Sequence, residues 1–151
     1  PMTIRKVKEL LDACYEAKRI RELLPPLPAG VMPSYIQYLD IVGTLEAQGE
    51  QVKISDISDV LHIPRPGVTR TVKEMEAKGY VRKLASQEDG RITYISATEK
   101  GKQLSEKYDE QYFAELIPFL TGISDEDAEC TIRTIRTLYQ VMYERRYKDD
   151  K

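Results

Sequence analysis

Residues 54–101, ISDISDVLHIPRPGVTRTVKEMEAKGYVRKLASQEDGRITYISATEKG, constrain the fold of this chain more than any other stretch. Ile54, Ile57, Val60 and Leu61 recur at helical spacing, His62-Ile63-Pro64 breaks the run, and Val68, Val72 and Met75 resume the period. The pattern predicts two short helices meeting at a tight turn. On the second, Pro66, Thr69, Arg70, Lys73 and Ala77 fall opposite the apolar stripe, and all are small, hydrogen-bonding or cationic. A helix that enters the major groove of DNA needs such a face. Gly79 suits the end of that helix, and residues 80–84 and 92–96 are β-rich runs flanking the turn-forming cluster Ser86-Gln87-Glu88-Asp89-Gly90. The prediction is a β-hairpin wing behind a helix-turn-helix.

The rest of the chain reads as helix. Ile4, Val7, Leu11 and Cys14 form one apolar face of a first helix, while Leu10, Ala13, Ala17, Ile20 and Leu24 form a second, a pattern that suits burial on two sides. Pro25-Pro26-Leu27-Pro28-Ala29-Gly30 stops this helix stiffly. A second helix, at about residues 33–48, carries Ile36, Leu39, Ile41, Val42 and Leu45 toward the winged-helix core, and Gln51-Val52-Lys53 offers a short third strand. After the wing, Thr98 caps a long predicted helix with apolar positions Leu104, Tyr108, Tyr112, Phe113, Leu116, Ile117 and Leu120, ended by Thr121-Gly122. Ser124 and Asp127 have capping-box spacing ahead of a last helix striped by Ala128, Ile132, Ile135, Tyr139 and Met142, and residues 144–151 read as a frayed charged tail. The fold class is therefore mainly α with a small β-hairpin wing (α+β).

In order and spacing, Val68-Thr69-Arg70, Met75-Glu76-Ala77-Lys78-Gly79-Tyr80-Val81-Arg82, Asp89-Gly90-Arg91 and Thr98-Glu99-Lys100-Gly101 resemble the MarR family, named for multiple antibiotic resistance regulators. The resemblance implies a dimerisation helix and linker over residues 1–30, a winged helix-turn-helix DNA-binding lobe over 31–97, and C-terminal dimerisation helices over 98–151. It implies a homodimer joined by the terminal helices, with Ile4, Val7, Leu11, Ile117, Ile132, Ile135 and Tyr139 in the interface. The implied activity is that of a ligand-responsive repressor on an inverted-repeat DNA operator. Two departures stand out. Pro64 occupies the place where a hydroxyl residue usually caps the recognition helix, and the wing tip has Asp89-Gly90-Arg91 in place of the family's Asp-Arg-Arg.

Arg65, Pro66, Thr69, Arg70 and Lys73 on the recognition helix are the candidate major-groove and phosphate contacts. Arg91 is the wing's minor-groove candidate, oriented by Asp89 as the resemblance implies, with Lys83, Ser86 and Gln87 as weaker phosphate contacts. Charge supports this division. The chain has a net charge of -2, yet residues 53–91 hold eight Lys/Arg against six Asp/Glu. Binding on so small an excess depends on where a few cations sit.

Family members commonly hold small anionic or phenolic compounds between the two lobes, and Tyr15, Arg19, Tyr35 and Tyr38 are the candidates for such a pocket here. Tyrosines at helical spacing serve equally as packing. Cys14 beside Tyr15 leaves open a redox-sensing variant of the same family, and a winged-helix protein-interaction module without DNA binding remains a further alternative. Enzymatic function is disfavoured. The single histidine, His62, stands apart from any nucleophile pattern, there is no Gly-rich phosphate loop, and Cys14 and Cys130 lack CxxC spacing, so neither cofactor nor metal is expected. Pro1 ahead of Met2 reads as an added residue. With no signal-like or membrane-spanning apolar run, a cytoplasmic location is expected.

Overall fold

Thr3 opens the first helix, its hydroxyl accepting from the Lys6 N–H at 3.1 Å, and α1 (Ile4–Glu22) runs until the proline-rich linker stops it. The computed structural model describes residues 1–148. Pro33 sits at the start of α2 (Pro33–Ala47), where a missing N–H costs nothing. Strand β1 (Val52–Lys53) leads into α3 (Ile54–Leu61), whose Asp56 carboxylate accepts from the Lys53 N–H at 2.8 Å. Next come α4 (Arg65–Ala77), β2 (Val81–Ala85), β3 (Thr93–Ala97) and α5 (Glu99–Tyr108). The chain then passes through a π-helical turn (Asp109–Phe113), a short α6 (Ala114–Leu116) and a 3-10 turn (Ile117–Leu120) before α7 (Asp125–Tyr147).

The sheet is antiparallel in the order β1-β3-β2, with Val52 opposite Ile95 and Lys83 also opposite Ile95 across the other edge. Its buried face, Val52, Val81 and Ile95, meets Leu39 and Val42 of α2, Ile57 of α3, and Val68, Val72 and Met75 of α4 in one core. The spacing of the α4 residues puts all three on one stripe. Each such fully buried side chain contributes about 1.5–3 kcal/mol of hydrophobic stabilisation, and together they fix which face of α4 turns outward.

Three expectations need correction. The hairpin strands begin and end one residue later than the β-rich runs suggest, because the Ser86 N–H closes the loop on the Ile92 carbonyl at 2.9 Å. The helix after the wing is not regular to Leu120. An extra residue per turn enters at Asp109–Phe113, where the Tyr112 and Phe113 rings meet tilted at 58° with centroids 5.4 Å apart, and Pro118, lacking an N–H, falls in a tightened 3-10 turn. Finally, residues 144–147 are helical rather than frayed: Tyr143 packs on Tyr147 at 4.8 Å, and Glu144 accepts from Gln140 at 2.7 Å. Residues 149–151 of the expected tail lie outside the described residues.

Compact units divide at Tyr108 and Asp109, so α5 belongs with the winged helix rather than with the C-terminal helices. Thr98 and Gly101 explain this. The Thr98 N–H donates to the Tyr80 carbonyl at 3.0 Å, the Thr98 hydroxyl donates to the Gly79 carbonyl, and the Gly101 N–H donates to Thr98 Oγ1 at 3.1 Å.

Candidate nucleic-acid interface

The turn between α3 and α4 is built by local chemistry. His62 adopts the left-handed conformation (φ 55°), Ile63 N–H donates to the Ser58 carbonyl at 3.2 Å, and the Ser58 hydroxyl donates to the Ile63 carbonyl. Pro64 is extended and starts α4 with no side-chain cap, and Pro66 lies in the first turn. The other end of α4 closes in a Schellman motif, with Gly79 at φ 83°, the Tyr80 N–H donating to Met75 O at 2.9 Å and the Gly79 N–H to Glu76 O at 3.0 Å. That closure aims β2, and hence the wing, directly off the helix end.

With Val68, Val72 and Met75 inward, Arg65, Pro66, Thr69, Arg70 and Lys73 are all exposed. Among the described residues, Arg65, Arg70 and Lys73 take part in no ion pair. Three uncommitted cations on one short helix are an anion-seeking surface. At the wing tip, Ser86 Oγ accepts from the Glu88 and Asp89 N–H groups at 3.2 Å each, which folds the loop. Asp89 in turn accepts from the Arg91 N–H at 3.0 Å and from its Nε and Nη2 at 3.1 Å. The Arg91 side chain is nevertheless 91% exposed, so it is aimed without being enclosed. Arg91's hydrogen bonds, from side chain first and backbone second, hold the Asp89 carboxyl below the usual carboxylate range.

Two weaker candidates are committed elsewhere. Lys83 Nζ lies 3.6 Å from Glu76 Oε1, tying the wing strand to α4, and the Ser86 hydroxyl oxygen is engaged in folding the tip. Gln87 is exposed there. The pocket candidates disperse. Tyr35 is 0% exposed, its hydroxyl spent on Glu74 and Lys78, so it is a core residue and not a wall of an open cleft. Tyr38 is also buried, and it edges a cleft of about 540 Å³ with Ser34, Gln37, Ile63, Arg70 and Glu74, on the α4 side. Tyr15 and Arg19 are exposed on α1, and Cys14 is half-buried.

Ile4, Val7 and Leu11 on α1, and Ile117, Ile132, Ile135 and Tyr139 beyond α5, are all exposed in the single chain. Neither α1 nor α7 buries a residue fully. Sequence reasoning passed over the cluster of Tyr35, Glu74 and Lys78. Its only signal was that Glu74 and Lys78 stand one turn apart on α4.

Among the described residues no cluster of side chains suits a metal ion, and no helix is long and apolar enough to cross a membrane. Helix-turn-helix, hairpin wing and three-stranded sheet define a winged helix-turn-helix protein. Residues 33–92 match the MarR family model. An HTH-type transcriptional regulator of Bacillus subtilis (strain 168), YdgJ, is 29% identical over 106 residues, covering 68% of this chain. The match spans 60% of that relative's own length. The fold is similar to that of Sulfolobus solfataricus BldR, a transcriptional regulator (TM-score 0.70, 19% identity, 91% of this chain and 99% of that one). It is also similar to Streptococcus pneumoniae FabT, whose crystal structure is a complex with DNA (TM-score 0.66, 20% identity, 94% and 99%).

Proposed function

We propose that the protein is a transcriptional regulator that binds double-stranded DNA as a homodimer, with α4 in the major groove and the wing against the minor groove of each half-site. The observation that carries this reading is the set of exposed, unpaired Arg65, Arg70 and Lys73 on α4, beside a wing whose Arg91 is clasped by Asp89. The cations and the clasp serve no packing purpose, and their geometry suits phosphates and base edges. The exposed apolar faces of α1 and α7 support dimerisation, since stripes of Ile, Leu and Val left in water are costly for a monomer. A two-fold dimer reads an inverted repeat with half-sites about one helical turn, roughly 34 Å, apart.

Repression responsive to a small molecule fits the cleft beside Arg70. Its volume of about 540 Å³ suits a small aromatic acid, and an occupant pairing with the Arg70 guanidinium would compete with DNA for it.

Selection from a random duplex library, followed by titration of the parent, Arg70→Ala and Arg91→Ala on the selected site, tests the reading. Arg70→Ala loses about 1–3 kcal/mol and relaxes preference at one base position. Arg91→Ala weakens binding to most sequences and lowers the salt slope by about one. Selection of asymmetric sites only, or unchanged affinity in both variants, would defeat it.

A further inference from the structure

Glu74 stands four residues after Arg70 on α4, at the spacing where an arginine and a carboxylate on a helix surface come within about 6 Å and pair. Such a pair would neutralise the guanidinium on which DNA recognition depends. The two do not pair. The Tyr35 hydroxyl, reaching from α2, donates to Glu74 Oε2 at 3.1 Å, and the hydroxyl oxygen itself accepts from Lys78 Nζ at 2.9 Å. Lys78 Nζ donates also to the Gly30 carbonyl at 2.7 Å, in the linker that precedes α2. Each proton has one place to go: the ammonium gives to the hydroxyl oxygen, which frees the hydroxyl proton for the carboxylate. The Tyr35 hydrogen bond, aided after it by charge interactions with Tyr35, Glu74 and Tyr80 and opposed by desolvation, holds the Lys78 ammonium above its ordinary range, keeping it a donor.

We propose that Tyr35 is a positioning residue for DNA binding: with Lys78 it draws the Glu74 carboxylate toward α2 and leaves Arg70 unneutralised for the duplex. This rests on the reading of Arg70 as a DNA contact. Tyr35 is suited to the task because its ring is fully buried between α2 and α4 and cannot swing away, while Glu74 and Lys78 are exposed and mobile about their own bonds. The geometry also explains why a tyrosine, and not a phenylalanine, fills a core position whose ring already packs on Tyr80 at 6.0 Å between centroids.

Tyr35→Phe keeps the ring and removes only the hydroxyl. Measured with the full chain on a labelled duplex selected by the parent from a random library, it should weaken binding roughly two- to fivefold, the scale of one surface helix pair acting in each subunit of a dimer. Glu74→Gln added to Tyr35→Phe should restore parent affinity, because the competing charge is gone. A merely loosened core would not be rescued. In an Arg70→Ala background Tyr35→Phe should change nothing further. Unchanged binding by Tyr35→Phe, or a loss that Glu74→Gln leaves in place, overturns the proposal. A DNA-free measurement separates it from the DNA-binding reading. The Arg70 Nε–Hε resonance should move in Tyr35→Phe and return in the double variant. If the parent selects no duplex, or Arg70→Ala binds like the parent, the DNA reading fails while this resonance still decides whether Tyr35 restrains Glu74. An unmoved resonance overturns that restraint.

Discussion

Gly101→Ala should destabilise the winged helix strongly, although it replaces glycine by the best helix former inside a helix. An added Cβ at Gly101 would overlap the Tyr80 carbonyl oxygen and would lie 3.1 Å from the Tyr80 carbonyl carbon and 3.0 Å from Leu39 Cδ2. Two of these three atoms are backbone, so relief requires α5 to move off the base of the wing. That motion strains the Thr98 bonds to Tyr80 and Gly79. Two hydrogen bonds at about 1 kcal/mol each, plus an overpacking cost of about 1–3 kcal/mol, less a propensity gain of about 1 kcal/mol, leave a net loss of about 2–4 kcal/mol. For a chain of this size that is roughly 5–15 °C in Tm. Gly43→Ala is the internal control, because Gly43 lies exposed within α2 with nothing within 4 Å of an added Cβ. It should gain about 0.5–1 kcal/mol. Thermal unfolding of the three proteins at one protein concentration makes the comparison, since dimerisation would make Tm concentration-dependent. Equal Tm values for Gly101→Ala and Gly43→Ala would refute the close approach of α5 to Tyr80.

Gly90 lies outside the left-handed region and has open space around it, so Gly90→Arg should add a wing cation without strain, tightening DNA binding and steepening the salt slope by about 0.9 per phosphate reached; titration at two salt concentrations measures both. Leu11→Asp and Ile135→Asp should each weaken the proposed dimer by several kcal/mol (roughly), because an unpaired carboxylate resists a dry interface; light scattering that finds the parent monomeric at micromolar concentration rejects the interface. The Asp89–Arg91 clasp depresses the Asp89 pKa, so its contribution is complete above the ordinary aspartate value and is lost as pH falls through the lowered one. A carbon-detected NMR titration should show the Asp89 carboxyl moving up in Arg91→Ala; no movement would mean the clasp does not form in solution.

Residues whose chemistry is local were legible in the sequence. Val68, Val72 and Met75 announce the inner face of α4 by period alone, and Gly79 announces its end because only a glycine readily takes φ near 83°. Asp89 and Arg91 are two residues apart, so their clasp is a matter of one turn. Tyr35 was not legible. Its partner Glu74 is 39 residues away and Lys78 43, and a tyrosine on a helix looks the same from sequence whether it packs or lines a cleft. Nor did the sequence disclose the π turn at Asp109–Phe113, since Tyr108, Tyr112 and Leu116 keep a regular four-residue spacing while the backbone beneath them does not.

The start of α4 shows why single side chains carry so much weight here. A helix start ordinarily offers free amides to an anion. In this chain Pro66 has no N–H, and the Gly67 and Val68 amides turn back to the Pro64 carbonyl at 3.1 and 3.5 Å. Little of that first turn is left for a phosphate, so docking under the proposed function passes from backbone to the side chains of Arg65, Arg70 and Lys73. Side-chain cations are more easily screened and more easily neutralised than fixed amides. With only eight basic residues against six acidic ones over residues 53–91, a carboxylate that closes on one of these three cations takes it out of the contact without any change in the local excess. Glu74 is the carboxylate best placed to do so, one turn from Arg70, and the buried Tyr35 hydroxyl is what keeps it occupied.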